Sequence, residues 1–213
     1  MRNYPCCLFD CDGTLIDTVE LIYRCFVHTC GVFKGPAVTL EQIAGMVGLT
    51  LRDQFRMLFG ELTGEQYAGM RNVHMDHQMR IYRQHLRLFP GVAQTLARMK
   101  ERGRTLGVVT SRMPESTEMF LQETGIRQCF DVLVTALDTA KHKPEPEPVL
   151  EALRRTGAAA GDTLFIGDAS FDIECGARAG VDTAFVAWSR VDPRGLNVRP
   201  TYIVNTMDEL IVV

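Results

Sequence analysis

Two carboxylates one residue apart, Asp10 and Asp12, stand where the apolar run Cys6-Cys7-Leu8-Phe9 ends. In an extended chain both side chains leave the same side of the backbone, with Cys11 on the other. Like charges so placed repel unless a cation or a shared proton relieves them. Gly13 and Thr14 let the chain leave the strand tip in a tight turn, the position at which open α/β sheets hold ligands. Polar groups recur in the same setting further on. Thr110 and Ser111 follow the apolar run Leu106-Gly-Val-Val109, Lys143 stands before Pro144, and Asp168 and Asp172 close Gly167-Asp-Ala-Ser-Phe-Asp172 after Leu164-Phe-Ile166.

That inventory of carboxylates, one ammonium and two hydroxyls suits phosphoryl transfer with a hard cation. Mg²⁺ takes oxygen ligands, typically one or two carboxylates with water and a phosphate oxygen, and lets Asp10 and Asp168 lie close together while charged. Lys143 and Thr110 then serve the remaining phosphoryl oxygens, where transition-state charge needs neutralising. Asp10 can attack phosphorus and form an aspartyl phosphate. Asp12, slightly displaced, can protonate the leaving oxygen and later deprotonate the hydrolytic water.

The elements around these residues must bring them to one place. After Asp17 the pattern turns helical, with Leu21, Ile22, Cys25 and Phe26 at helix spacing up to Gly31. Thr39 precedes a short helix closing at Gly45, and Thr50 is the expected N-cap for 51–59, with Asp53 at the capping-box position. A longer helix over about 64–85 is striped by Tyr67, Met70, His74, His77 and Ile81. Residues 18–84 thus read as a helical insert, and 1–17 with 85–213 as the core.

From Pro90 onward helices alternate with strands at 105–110, 131–135, 163–167 and 183–188, and a last strand lies at 202–204. Pro90, Pro114 and Pro144 are expected to open helices and Gly103, Gly125, Gly157 and Gly180 to follow their ends. Strands this apolar between helices indicate a doubly wound parallel sheet covered on both faces, so the fold class is α/β. In such a sheet the strand ends share one edge, which carries Asp10, Asp12, Thr110, Ser111, Asp168 and Asp172 together.

Composition narrows the partners. The chain has 213 residues, 46% hydrophobic, with a formal charge of −3 and no Lys/Arg-rich run, so neither nucleic acid nor a membrane is an expected partner. Seven cysteines without a C-x-x-C pair read as reduced thiols, which places the expected protein in the cytoplasm.

The ordered set D-x-D-G-T-L-x-D, V-V-T-S, K-P and G-D-x-x-x-D resembles the haloacid dehalogenase (HAD) superfamily of phosphohydrolases along essentially the whole chain. The resemblance implies a Rossmann-like core with a helical cap inserted at 18–84. It makes Asp10 the nucleophile, Asp12 the acid/base, Thr110 and Lys143 phosphate ligands and Asp168 a Mg²⁺ ligand. It adds the main-chain carbonyl of Asp12 to the metal site and gives Asp172 a supporting place there, direct or through water. Ser111 either offers its hydroxyl to phosphate or caps the next helix. An Asp at position 12 argues for phosphatase or mutase, and the nearest branches are phosphoglycolate phosphatases and HAD-type inorganic pyrophosphatases.

The expected substrate is therefore a small phosphorylated metabolite or pyrophosphate. Mutases of this branch carry His where this chain has Ile22, and the helical insert argues against a receiver-type phospho-acceptor module. In the insert, the loop Gly45–Gly48 feeding a helix start makes Arg52 the expected receptor for a second anionic group on the substrate. Asp17 and Thr18 are expected to cap the first insert helix or shape the hinge. The H-x-x-H spacing of His74 and His77 fits packing better than metal binding. Cys11, Cys175 and Trp188 read as packing residues.

Overall fold

The computed structural model describes residues 2–189 and 193–211. The first apolar run forms β1 (Cys6–Phe9), and β2 (Ile16–Asp17) follows the turn. Four helices come next, α1 (Val19–Val32), α2 (Leu40–Ala44), α3 (Leu51–Phe59) and α4 (Gly64–His85). β3 (Arg87–Leu88) then pairs antiparallel with β2, so the chain leaves for the helical block and returns from it on adjacent strands. The remainder alternates: α5 (Val92–Glu101), β4 (Thr105–Val109), α6 (Pro114–Glu123), β5 (Val132–Val134), α7 (Glu147–Thr156), β6 (Thr163–Gly167), α8 (Ser170–Ala179), β7 (Asp182–Val186) and β8 (Tyr202–Val204).

The main sheet has the order β5-β4-β1-β6-β7-β8, and its strands run parallel. The chain builds outward from β1 through β4 to β5, then crosses to the other side and builds β6 to β8. β1 is therefore the switch point, and the crevice beyond its C-terminal end lies between the ends of β4 and β6. Strand alternation divides the packing. Cys7 and Phe9 enter the core with Val108, Phe120 and Ile166, whereas Cys6 and Leu8 face Val149, Phe165 and Cys175.

The helical block carries a core of its own, in which Ile22 and Phe26 pack with Ile43, Phe55 and Met70. Its helices start where short polar side chains can bond unpaired amides. Thr39, Thr50 and Thr63 accept from the amides of Gln42, Asp53 and Gln66, and Gln42 and Gln66 reciprocate on the backbone. Asp53 does not reciprocate in that way: its carboxylate accepts from the Thr50 hydroxyl at 2.6 Å.

One helix start differs from the sequence reading. Pro144 does not open α7, because residues 142–145 form a turn closed by Glu145 N–H on His142 O at 2.8 Å, and Pro146 and Pro148 flank the helix start instead. The chain closes, as a helical turn, in the 3₁₀ helix Met207–Ile211. Among the described residues no helix is long and apolar enough to cross a membrane.

Candidate active site

Asp10 extends β1 by one more bond, its N–H donating to Ile166 O at 2.8 Å. Beyond it Gly13 turns the chain at φ +82°, and a Cβ there would lie 2.2 Å from Asp168 Oδ2. Only glycine permits both the conformation and the approach of the Asp168 carboxylate to the turn. Asp168 itself follows β6, where the Thr14 hydroxyl donates to its Oδ1 at 3.3 Å. Ligand oxygens of Asp10, Asp168 and Asp172 lie within 4.8 Å of one another, and all three residues are buried.

Lys143 holds two of these carboxylates. Its Nζ donates to Asp10 Oδ1 and to Asp172 Oδ1, each at 2.6 Å, with about 1% of the side chain exposed. Asp172 uses its second oxygen on the N–H of Ala169, at 3.0 Å, so it anchors the start of α8 and aims the ammonium. Asp10 Oδ2, by contrast, is buried without a hydrogen-bond partner. A buried carboxylate oxygen left so costs about 1–3 kcal/mol or more unless something positive meets it.

Charge makes the same point. With all four ionised, Asp10, Asp12, Asp168 and Asp172 would carry four negative charges against the two positive charges of Lys143 and Arg112, two more than the protein itself compensates. Burial pushes the Asp10 carboxyl up to about 7, Lys143 pulls against it, and Asp172 and Asp12 add to the rise. Burial, Asp172 and Asp10 likewise push Asp168 well above the carboxylate range. Burial opposes the Lys143 ammonium, yet Asp10 and Asp172 outweigh it and raise its pKa. An all-oxygen cluster short of two positive charges, with one oxygen orphaned, fits a divalent hard cation such as Mg²⁺.

Asp12 is held differently. Arg112 grips it with both prongs, Nη2 to Oδ1 at 2.6 Å and Nε to Oδ2 at 3.0 Å, and Thr18 donates to Oδ1 at 2.5 Å. Burial would raise the carboxyl, but the guanidinium and the hydroxyl override it and bring it below the usual carboxylate range. With both carboxylate oxygens taken, Asp12 has only its main-chain carbonyl to offer a metal. Of the two roles expected of Thr18, the side-chain cap on α1 is not taken up, because the hydroxyl is committed to Asp12. Arg112 was not singled out in the sequence; its position two residues past Thr110, on the same strand-end loop, is the one signal that points to it.

Strand ends and helical block face each other across a partly open cleft. Asp10, Asp12, Thr110, Ser111 and Arg112 line it from the sheet edge, and Ile22, Gly48, Gln54, His74 and Gln78 from the helical side. Ser111 neither caps α6 nor stands free: its hydroxyl donates to Gly48 O at 2.6 Å and ties the two walls together. Thr110 Oγ1 accepts from the Arg112 amide at 3.2 Å.

Arg52 is not brought to this cleft. Leu51 and Gln54 of α3 line it, and the residue about 100° around the helix from Leu51 points away. Arg52 is exposed, its guanidinium 4.1 Å from the centre of the Tyr67 ring.

His74 and His77 do not face a common centre. His77 stacks on His28 with ring centres 4.0 Å apart, whereas His74 is buried against Phe26 and Phe55. Its Nδ1 is 3.3 Å from the Thr29 hydroxyl, which donates in turn to Cys25 O. Cys11 and Cys175 are buried, and Trp188 donates from Nε1 to Thr14 O at 3.2 Å, bracing the turn after Asp12.

Burial, with Arg112 and the other histidines adding, lowers the His74 pKa from 6.5 to about 3. The unfolded chain therefore takes up this proton first, so stability is full above pH 6.5 and falls as the pH drops toward 3. The slope is about 1.4 kcal/mol per pH unit, or about 2 kcal/mol between pH 6.5 and 5. Urea melts at the two pH values should show a smaller loss in His74→Leu than in the parent; equal losses would mean that the ring is protonated in the fold.

The family model for haloacid dehalogenase-like hydrolases matches residues 7–186. A pyrophosphatase PpaX of Oceanobacillus iheyensis is 36% identical over 209 residues, covering 97% of this chain and 94% of the relative. Among solved structures, a Bacteroides fragilis protein described as haloacid dehalogenase-like superposes with TM-score 0.89 at 28% identity, over 98% of this chain and 100% of that one. A predicted phosphoglycolate phosphatase from Haemophilus somnus reaches TM-score 0.85 at 19% identity, over 100% of this chain and 98% of that one, a likeness of fold alone.

Proposed function

The chain belongs to the haloacid dehalogenase-like hydrolase family, and from that premise we propose that it is a Mg²⁺-dependent phosphohydrolase of small anionic phosphates. The observation that carries the reading is the buried, partnerless oxygen of Asp10 beside Lys143 and Asp168, at the switch point of the sheet. Pyrophosphate and phosphoglycolate-like monoesters are the substrates that fit, and the pyrophosphatase at 36% identity supports the former. Residues 18–84 act as a cap over residues 1–17 and 85–213, with the β2–β3 pair as the strap between them.

Asp10 and Asp168, with the main-chain carbonyl of Asp12, would hold Mg²⁺, whose charge offsets that of the phosphoryl oxygens and the clustered carboxylates. Lys143 steadies the Asp10 carboxylate and meets the transferred phosphoryl group with Thr110. Asp10 attacks phosphorus through a carboxylate oxygen. The new O–P bond forms as the bond to the leaving oxygen breaks, and the departing electron pair takes a proton that Asp12, ionised in the resting site, has first taken up from solvent. Asp12, now ionised, removes a proton from the water that attacks the aspartyl phosphate. The bond to Asp10 breaks, orthophosphate leaves and both carboxyls return to their starting states. Ile22, an apolar side chain on the cleft wall, offers no base to a sugar hydroxyl, which favours hydrolysis over isomerisation.

Asp12→Asn tests the two-step course. With an aryl phosphate, whose leaving group needs little help, the variant should still form the aspartyl phosphate but hydrolyse it about 100- to 10,000-fold more slowly. Rapid quench should then trap phosphoenzyme on most chains. Unchanged turnover with no phosphoenzyme would remove Asp12 from the mechanism.

A further inference from the structure

Among the described residues lining the cleft, Arg112 carries the one full positive charge, since His74 stays neutral in its buried site. Its guanidinium is nearly buried, with 7% of the side chain exposed, and lies 4.3 Å from the centre of the Phe120 ring. The contacts divide it into two parts. Nε and Nη2 face Asp12, and Nη1 donates to Gln78 Oε1 of α4 at 3.1 Å. The fork is thus fixed from below by Phe120 and from the helical side by Gln78, with its two-pronged edge on a carboxylate that must itself reach the leaving oxygen.

We propose that Arg112 is the receptor for the part of the substrate that is not transferred, and that it exchanges Asp12 for an anionic leaving group when substrate binds. This rests on the hydrolase reading above and names its substrate class: compounds whose leaving group is itself an anion with two or more oxygens, the smallest being a diphosphate. A planar fork with two parallel N–H donors matches a phosphoryl group as well as it matches a carboxylate, and the phosphoryl group brings more charge. The exchange is local, because Arg112 and Asp12 line the same cleft and Gln78 keeps hold of Nη1. It also couples recognition to chemistry. Only when Arg112 has moved to the leaving group are both oxygens of Asp12 cleared of the guanidinium, with Thr18 left to orient the carboxyl. A neutral leaving group provides nothing to draw Arg112 away. Arg52, expected in this part from the sequence, lies outside the cleft.

The test compares Arg112→Gln, Arg112→Lys and Arg52→Ala with the parent on pyrophosphate and on an aryl phosphate, with Mg²⁺ present. Arg112→Gln should lower the ratio of kcat/KM for pyrophosphate to that for the aryl phosphate by about 30- to 1,000-fold. Arg112→Lys, which keeps the charge but loses the fork, should lower the ratio by about tenfold, and Arg52→Ala should leave it in place. Calorimetry supplies a readout without turnover. The parent should bind methylenediphosphonate more tightly than inorganic phosphate, and Arg112→Gln should lose that preference. Equal losses on both substrates, or a preference retained in Arg112→Gln, would overturn the inference. Should Arg112→Gln fail to fold, an unchanged ratio and an unchanged preference in Arg112→Lys would overturn it equally. If the parent releases phosphate from neither substrate, the hydrolase reading fails, and the diphosphonate preference of the variants still decides the role of Arg112.

Discussion

Asp10→Asn should cut phosphate release by about 10,000-fold or more, the loss expected when a covalent nucleophile is removed. The side chain keeps its shape, so packing around Phe9 and Cys11 is preserved, and one amide oxygen can still accept from Lys143 Nζ. What disappears is the negative charge that the carboxylate presents to phosphorus and that its partnerless Oδ2 leaves unmet. The variant should also fold at least as well as the parent without added metal, because removing one of four buried carboxylates relieves the excess of negative charge. Steady-state phosphate release together with thermal melts checks both halves. A folded variant retaining a tenth of parental turnover would rule out an aspartyl phosphate on this residue.

Lys143→Met should be damaging in a different way, to the fold and the chemistry at once. Lys143 is the shared partner of Asp10 and Asp172, and both acids stay buried after it is removed. Breaking a buried pair by deleting one member costs about 3–5 kcal/mol, because a charge is left without compensation. Here one deletion strands two. Urea melts without added metal should show a loss of that size, and Mg²⁺ should recover part of it by meeting the same carboxylates. Turnover should remain low with Mg²⁺ present, since the ammonium that steadies Asp10 and meets the phosphoryl group is gone. Stability within about 1 kcal/mol of the parent would mean that Asp10 and Asp172 share a proton and not a lysine.

The sheet and its chemistry-bearing edge were legible in the sequence because they rest on local regularities. Cys6 to Phe9, Leu106 to Val109 and Leu164 to Ile166 are too apolar for anything but buried strands, and polar residues follow each at once. In a parallel sheet that repetition alone brings Asp10, Thr110 and Asp168 to one edge, whatever the side chains do there. Asp172 lies in the first turn of its own helix and fell into place with it.

What the sequence left open are the choices among partners distant along the chain. Arg112 pairs with an acid 100 positions away, and Ser111 with a carbonyl 63 positions away. Neither pairing follows from any spacing, because a long or rotatable side chain on a loop has several donors or acceptors within reach until packing removes all but one. The same reason separates Arg52 from Arg112. Each is an arginine near a glycine-bearing loop or a strand end, but helix phase turns Arg52 outward onto Tyr67, while Phe120 and Gln78 hold Arg112 inside. The sequence by itself determined the fold and the acids at its edge, through periodicity and strand-end composition. Which cation faces which acid, and so which part of a substrate is recognised, was decided only by the tertiary structure, because burial of a charge depends on neighbours that no local pattern names.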